Sequence, residues 1–270
     1  MAKYKKKRAR ELQHDRFRDT TMGFFDRLGD ALEGKGRTIL YVLGGLILAG
    51  ILVVAFVKWN HKKSDEARQA LGRAITITKA PVMATPVAGN TSELTFTSEV
   101  ERAQKAIAEF EKVAAKYGDP YKTESLYFIA SNRLVLDRPK GLSELEQLSK
   151  SNITEVATLS KFALAQAKES DGKFDEAAQL YTEIAKLNSP TVSADTANLR
   201  LAKVYEKQGK RKEAADLLFN MVDASRKAKG PDNQPIPASA AAREAADTLQ
   251  KLDPDRYAQL PPETPPVLAG

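Results

Sequence analysis

A run of twenty uncharged residues near the N-terminus constrains this chain more than any other feature. The run extends from Thr38 to Val57 (TILYVLGGLILAGILVVAFV), and thirteen of its residues are Leu, Ile, Val or Phe. As a helix it would rise about 1.5 Å per residue and span roughly 30 Å, the hydrocarbon thickness of a bilayer. A buried core helix of this length would need a much larger globule around its whole circumference. The segment 38–57 is therefore predicted to be a transmembrane helix in the lipid bilayer.

The position of this segment argues against a cleaved signal peptide. A signal peptide has a short basic start and an apolar core of about 7–15 residues. The core here is longer, begins after 37 residues and is followed by Lys58, Lys62 and Lys63. Gly45 and Ala49 form a small-xxx-small pair, a weak signal for helix association that would permit self-association.

The distribution of charge predicts the orientation of the anchor. The chain has 270 residues and a formal net charge of +7, of which residues 1–37 carry +5 and the remainder carries +2. The basic excess before the helix favours a cytoplasmic N-terminus and a large domain on the other side of the membrane. The run at 3–10 (KYKKKRAR) is typical of a lipid-touching tail, with a nucleic-acid or ribosome contact as the alternative. Because the large domain is nearly neutral, it is not expected to bind nucleic acid.

The rest of the chain divides into segments of different composition. Residues 1–37 are predicted to be a basic tail that includes an amphipathic helix over 20–34, and residues 78–97 to be an irregular excursion. The proline-rich end, 253–270, is predicted to be a disordered tail. Between these segments, helical periodicity and breaks at Gly and Pro predict helices over 98–117, 122–136, 140–149, 155–170, 173–187, 191–208, 210–227 and 238–252.

An internal repeat predicts how these helices pack. Segments 162–181 and 199–218 align without gaps at an offset of 37 residues. In each segment two small residues are expected to face each other across a helical hairpin, Ala165 with Ala177 and Ala202 with Ala214. Gly172 is expected to end the first helix of its hairpin in a left-handed turn, as is the glycine 37 residues later. Since a hairpin cannot bury its apolar face alone, several hairpins must stack.

Two further copies of the repeat are more degenerate. Segment 127–145 fits at an offset of 35, with Ala130 at the first small position and Leu142 at the second. Segment 106–120 matches the second helix of a hairpin whose first helix is 64–77. The predicted fold is therefore all-α: one transmembrane helix, then a helical-hairpin solenoid over 58–252.

The repeat pattern resembles tetratricopeptide repeats, because Leu-Ala, Gly and Ala recur at their spacing with a period of 35–37 residues. Together with the basic tail, single anchor and excursion, this order resembles the YfgM-like ancillary subunits of the bacterial Sec translocon. The resemblance covers about residues 20–250. It implies a single-pass protein of the bacterial inner membrane with a periplasmic repeat domain. The partners that it implies are the SecYEG translocon and a periplasmic chaperone such as PpiD.

No catalytic constellation is evident in the sequence. The chain has no cysteine and only two histidines, His14 and His61, and it contains no metal-ligand spacing, P-loop or dinucleotide fingerprint. The protein is therefore predicted not to be an enzyme and to need no cofactor or metal.

Protein binding is the predicted activity of the repeat domain. In such repeats the first helix of each hairpin lines the concave side, and the residues expected to point inward are Tyr127, Ser131, Phe162, Gln166, Leu199, Lys203 and Glu206. Ordinary packing between repeats is the alternative role for the apolar members of this set. A scaffold or chaperone accessory at the translocon is the function that the resemblance implies. An envelope assembly or cell-division coordinator built on similar repeats is the alternative.

Overall fold

The computed structural model describes residues 36–83, 94–187 and 189–263, and these residues form ten helices and two isolated β-bridges. The helices are α1 Gly36–Lys79, α2 Glu99–Lys116, α3 Tyr121–Leu136, α4 Arg138–Leu148, α5 Thr154–Ser170, α6 Phe174–Lys186, α7 Ala194–Lys207, α8 Arg211–Lys227, α9 Ala240–Leu252 and α10 Pro254–Tyr257. The expectation of an all-α chain is confirmed. The predicted amphipathic helix at 20–34 and most of the basic tail lie outside the described residues.

The chain divides into two compact units at Ser64. In the first unit, the described residues belong to α1, and its large apolar side chains from Tyr41 to Trp59 are exposed. Within the described ranges, this is the one helix that is long and apolar enough to cross a membrane. At the end of the apolar run, the Lys63 ammonium lies 4.0 Å from the centroid of the Trp59 ring.

The second unit, from residue 65 onward, is a stack of helical hairpins. Three hairpins follow one another, formed by α3 with α4, α5 with α6, and α7 with α8. The predicted left-handed turns are confirmed, because Gly172 and Gly209 have φ angles of +73° and +75°. At the first of these turns, the N–H of Lys173 donates to the carbonyl oxygen of Lys168 at 2.9 Å, which closes the end of α5.

The three hairpins place equivalent residues at equivalent positions in their cores. The first small positions are Ala130, Ala165 and Ala202, the second are Gly141, Ala177 and Ala214, and the large buried positions after them are Leu145, Tyr181 and Leu218. The facing alanines of the second and third hairpins were predicted correctly. In the first hairpin, the prediction that Leu142 occupies the second small position is wrong by one residue. Asp137 alone separates α3 from α4, whereas three residues separate α5 from α6, and this shorter turn brings Gly141 against α3.

The C-terminal part of α1 packs against α2, as the predicted pairing of 64–77 with 106–120 requires. Leu71 and Ala74 belong to one buried cluster with Ala106 and Phe110. The described ends of the 78–97 excursion are tied to this pair. Phe96 is buried and forms a parallel bridge with Val82, and the guanidinium of Arg102 donates to the Ala80 carbonyl at 3.0 Å. Residues 84–93 lie outside the description.

The start of α2 shows why the chain becomes helical at that point. The Ser98 hydroxyl accepts a hydrogen bond from the Glu101 N–H at 3.1 Å, as in a capping box. The Glu101 carboxylate turns back to accept from the N–H and hydroxyl of Thr97 rather than from Ser98. Both hydrogen bonds lower the pKa of Glu101, and the bond from the Thr97 hydroxyl has the larger effect.

The chain remains packed beyond the predicted start of the disordered tail at residue 253. Residues Pro254–Tyr257 form α10, capped by the Asp253 carboxylate, and Leu260 is buried in the cluster formed by α8 and α9. The Arg226 guanidinium also donates to the Pro261 carbonyl. The predicted boundary is therefore too early, because Leu252 and Leu260 together complete the last apolar face of the stack.

Polar contacts join neighbouring hairpins at one recurring place. There, the start of the second helix of one hairpin meets the end of the first helix of the following hairpin, and α9 takes the place of that first helix after the third hairpin. The Arg138 guanidinium donates to the Ala167 carbonyl at 2.9 Å and to the Asp171 carboxylate at 3.0 Å. At the next junction the Gln208 amide donates to the Asp175 carboxylate at 2.8 Å, and at the third the Arg211 guanidinium donates to the Leu252 carbonyl at 2.6 Å.

Candidate protein-interaction surfaces

The three large apolar residues of the predicted binding surface take part in packing. Leu199 is buried with Ala202 and Leu218, and the Phe162 ring meets the buried Tyr181 edge-on at a centroid distance of 5.8 Å. Tyr127 is partly buried beside the Ala130 cluster, and this burial raises the pKa of its hydroxyl. The packing alternative therefore accounts for most of the apolar surface of these residues.

The four polar residues of the predicted surface differ in their accessibility. Gln166 and Glu206 are exposed, whereas Ser131 is partly buried. The Lys203 ammonium pairs with the Glu244 carboxylate on α9, and this hydrogen bond lowers the pKa of Glu244. Part of the polar edge of the predicted surface is therefore already paired with α9.

A polar network that runs from the buried Tyr181 to the exposed Lys207 links the second and third hairpins. The fully buried Tyr181 donates its hydroxyl to the Glu169 carboxylate at 3.0 Å, and the Lys207 ammonium donates to the same carboxylate at 2.6 Å. Burial, with the nearby Glu169 charge, raises the pKa of Tyr181. Because Glu169 belongs to α5, Tyr181 to α6 and Lys207 to α7, this network connects the second hairpin to the third.

A groove that was not predicted lies on another face of the repeat unit. It has a volume of about 530 Å³ and lies between α2, α3 and α4. Its lining residues are Glu111, Ala114, Leu126, Ile129, Arg133, Glu144, Gln147, Leu148 and Ser151. On α3, residues 126, 129 and 133 lie roughly opposite residues 127 and 131, since each residue advances about 100° around a helix. The groove is therefore not part of the predicted concave surface.

The groove lies between two helices that both pack on α3. The second helix of the first hairpin, α4, has 11 residues, whereas α2 on its other side has 18. The buried Ile129 and the last residue of α4, Leu148, belong to the lining, and Leu126 is 38% exposed. The sequence predicts only a short helix here and does not indicate that α2 lines the same groove.

The groove has an incompletely paired acidic wall. The Arg133 guanidinium donates to Oε1 of Glu144 and lies 3.9 Å from the carboxylate of Glu111. Oε2 of Glu144 is buried, and no described residue donates a hydrogen bond to it. An acceptor left in this state costs about 1–3 kcal/mol, and because this oxygen is buried it is not available to a second molecule. The three charged side chains of the lining, Glu111, Arg133 and Glu144, carry a net charge of −1.

A second, smaller groove of about 320 Å³ lies between α4, α5 and α6. The Lys168 ammonium and the Glu176 carboxylate, 2.6 Å apart, form an ion pair in its lining. This hydrogen bond raises the pKa of Lys168 and lowers the pKa of Glu176. These two groups therefore satisfy each other's charge.

The titratable residues do not form a metal site in the part of the chain that the structure describes. Among these residues, no group of three or more His, Cys, Asp or Glu side chains could hold a metal ion. His61 lies in α1 just beyond the apolar run, whereas His14 lies outside the described ranges.

Comparison with known proteins gives a small number of structural neighbours. No family model and no curated protein sequence matches the chain. One similar solved structure is a chain with nearly identical TPR-like repeats of a kinesin light chain from Podosopora anserina. It is 17% identical, covers 69% of this chain and 85% of its own, and has a TM-score of 0.48. A single-substitution variant of that protein gives the same identity and score over 84% of its length. The evidence for hairpin repeats is the order of the helices and their equivalent core positions described above, and it does not depend on this similarity.

Proposed function

We propose that this protein is a non-enzymatic, membrane-anchored scaffold that binds other proteins through its helical repeats. The observation that carries the proposal is the attachment of a hairpin stack to a helix whose apolar side chains are exposed over about twenty residues. Thirteen Leu, Ile, Val and Phe residues at the centre of a membrane helix favour insertion by about 4–8 kcal/mol before the glycines weaken it. Exposure of the same residues to water would be unfavourable.

The composition of the repeat unit supports protein binding rather than nucleic-acid binding or chemistry. The charge after the anchor is close to zero, so the electrostatic attraction that dominates nucleic-acid affinity is small. Stacked hairpins expose long surfaces and grooves while their own cores are satisfied, which suits the binding of peptides and protein surfaces.

The finer assignment rests on the resemblance in domain order to YfgM-like subunits. On that basis the protein spans the bacterial inner membrane once, with a cytoplasmic N-terminus and a periplasmic repeat domain. It would act there as a scaffold or chaperone accessory at the SecYEG translocon, together with a chaperone such as PpiD. The excess of basic residues before the anchor supports this orientation. An envelope assembly or cell-division coordinator is the second candidate, and the same anchor and repeats would serve it.

Co-purification tests both candidates. The full chain, tagged at its C-terminus, is extracted from membranes in mild detergent, and the bound proteins are identified by mass spectrometry. Translocon subunits and a periplasmic chaperone would support the first candidate. Recovery of cell-division or outer-membrane assembly proteins without any Sec component would support the second and refute the first.

A separate variant tests the anchor. Replacing Leu48 and Leu52 with arginine places two charges near the centre of the apolar run, where each disfavours insertion by about 2.5–3.5 kcal/mol. The natural chain should stay in the membrane pellet after carbonate extraction, and the double variant should be released in part. Replacing the exposed Arg68 and Arg73 with lysine is the control, and it should leave the distribution unchanged.

A further inference from the structure

We propose that the part of α1 directly after the apolar run, residues 58–63, binds the headgroup of an anionic phospholipid. This proposal rests on the membrane anchor of the proposed function and adds a place and a class of lipid to it. It concerns the end of the anchor that is remote from the basic run at 3–10, and all of its residues belong to the first unit.

The position of residues 58–63 brings them next to lipid headgroups. The uncharged run ends at Val57, and α1 continues through the following residues without a break. Since the run has the length of the hydrocarbon core, the next six residues rise about 9 Å, through the headgroup layer, which is about 5–8 Å thick on each side. The side chains of 58–63 and the lipid phosphates therefore occupy the same layer.

This segment carries three positive charges and no negative one. Lys58, Lys62 and Lys63 are exposed, and no ion pair formed among the described residues includes them. The next acidic residues, Asp65 and Glu66, lie farther from the apolar run. Each lysine near an anionic surface strengthens binding about fivefold. A zwitterionic headgroup carries its own cation, which offsets this attraction, so the segment selects a headgroup with a net negative charge.

The three lysines and Trp59 lie on one side of the helix. At about 100° per residue, positions 58, 62, 59 and 63 fall within an arc of about 140°. The Lys63 ammonium lies 4.0 Å from the centroid of the Trp59 ring, and this cation–π contact keeps the cation beside the indole. The indole N–H is a donor only, and phosphate and ester oxygens are acceptors at this level. One side of the helix therefore presents three cations and an N–H donor to a single anionic headgroup.

Trp59 also makes the proposal directly measurable. It is the only tryptophan of the chain, and it is 59% exposed. Bromine quenches tryptophan fluorescence at short range, so a lipid with brominated acyl chains reports whether it lies next to this segment. The full chain is reconstituted in phosphatidylcholine nanodiscs that contain either brominated phosphatidylglycerol or brominated phosphatidylcholine at the same mole fraction. The ratio of the two quenching efficiencies gives the preference for the anionic lipid.

The natural chain should prefer phosphatidylglycerol about fivefold, and salt should weaken this preference by screening. Lys58→Gln combined with Lys62→Gln removes two charges and leaves the contact between Lys63 and Trp59 intact. This variant should show a preference of about twofold or less. The same double change at Lys105 and Lys122, which are exposed in the repeat unit, is the control and should leave the preference unchanged.

Three results would overturn the proposal: equal quenching by the two lipids in the natural chain, a preference that survives the loss of Lys58 and Lys62, or a preference that the control variant loses equally. Each would leave the membrane anchor standing, because brominated phosphatidylcholine would still quench Trp59. Quenching by neither lipid would instead refute the membrane-anchored function together with the headgroup site.

Discussion

Replacing Gly141 with alanine should destabilise the repeat unit, although the same substitution favours an isolated helix. A Cβ atom at this position would lie 2.8 Å from the backbone nitrogen of Leu134 and 3.0 Å from the carbonyl oxygen of Ala130. Both atoms belong to the backbone of α3, so relief of the contact requires the two helices of the hairpin to separate. Overpacking of this kind costs about 1–3 kcal/mol and exceeds the gain of about 0.8–1.0 kcal/mol from helix propensity. We expect a net loss of about 1–2 kcal/mol in the free energy of unfolding.

Gly72 provides a matched control for this substitution. It lies inside α1 in the repeat unit, it is exposed, and a Cβ atom there would meet nothing within 4 Å. Gly72→Ala should therefore stabilise the unit by up to about 1 kcal/mol through helix propensity alone. The same chemical change is predicted to have opposite signs at two helical positions.

Thermal unfolding of the full chain in detergent, followed by circular dichroism at the helix minimum, measures both effects. For a unit of this size, 1 kcal/mol shifts the melting temperature by about 2–4 °C, so the two variants should differ by about 5–10 °C. A Gly141→Ala variant that melts at or above the natural chain would refute the close approach of α3 and α4. It would also restore the alignment that places Leu142 at the small position.

Three further substitutions test the packing of the second hairpin and its junctions. Ala165→Leu should lower the free energy of unfolding, measured in urea, by about 1–3 kcal/mol through overpacking. Gln166→Leu, on the exposed side of the same helix, is the control and should change it by less than about 0.5 kcal/mol. Tyr181→Phe should cost about 1–2 kcal/mol, because Glu169 loses a buried donor. The raised pKa of Tyr181 means that the folded state keeps its proton where the unfolded chain has lost it. Stability should therefore fall above about pH 10 by up to about 1.4 kcal/mol per pH unit, and urea unfolding from pH 8 to 11 should show a smaller fall for Tyr181→Phe. Arg138→Ala should lower stability by about 0.5–1.5 kcal/mol in the same assay, and unchanged stability would contradict the inter-hairpin contacts.

Local patterns in the sequence predicted the elements of the repeat unit well. Helical periodicity and the breaks at Gly and Pro located helices α2 to α9 to within about three residues at each end. The glycine turns were predictable because Gly172 follows the last periodic residue of its helix and glycine adopts a positive φ without strain. The facing alanines followed from an ungapped repeat, in which any shift would have been visible.

The candidate site was less predictable because it depends on distances between elements. The concave surface was inferred from repeat geometry, but Leu199 and Phe162 are used in packing, and Lys203 is paired with a residue of α9 that lies 41 positions away. The groove next to α3 is lined by α2 on one side and by α4 on the other. Neither helix length alone indicates that space, since it depends on how the two helices lie side by side.

The sequence by itself determined the anchor candidate, the all-α class and the hairpin repeat, because each is a property of residue order within one or two helices. Thirteen Leu, Ile, Val and Phe residues among twenty predict a membrane helix without reference to the rest of the chain. In the same way, two alanines twelve positions apart across a glycine turn predict a helical hairpin. Only the tertiary structure decided that Gly141 rather than Leu142 faces α3, that Leu260 completes the last core, and that Glu144 keeps an oxygen without a donor. Each of these depends on a turn length or a long-range contact that brings distant residues within a few ångströms, and no periodicity in the chain encodes such distances.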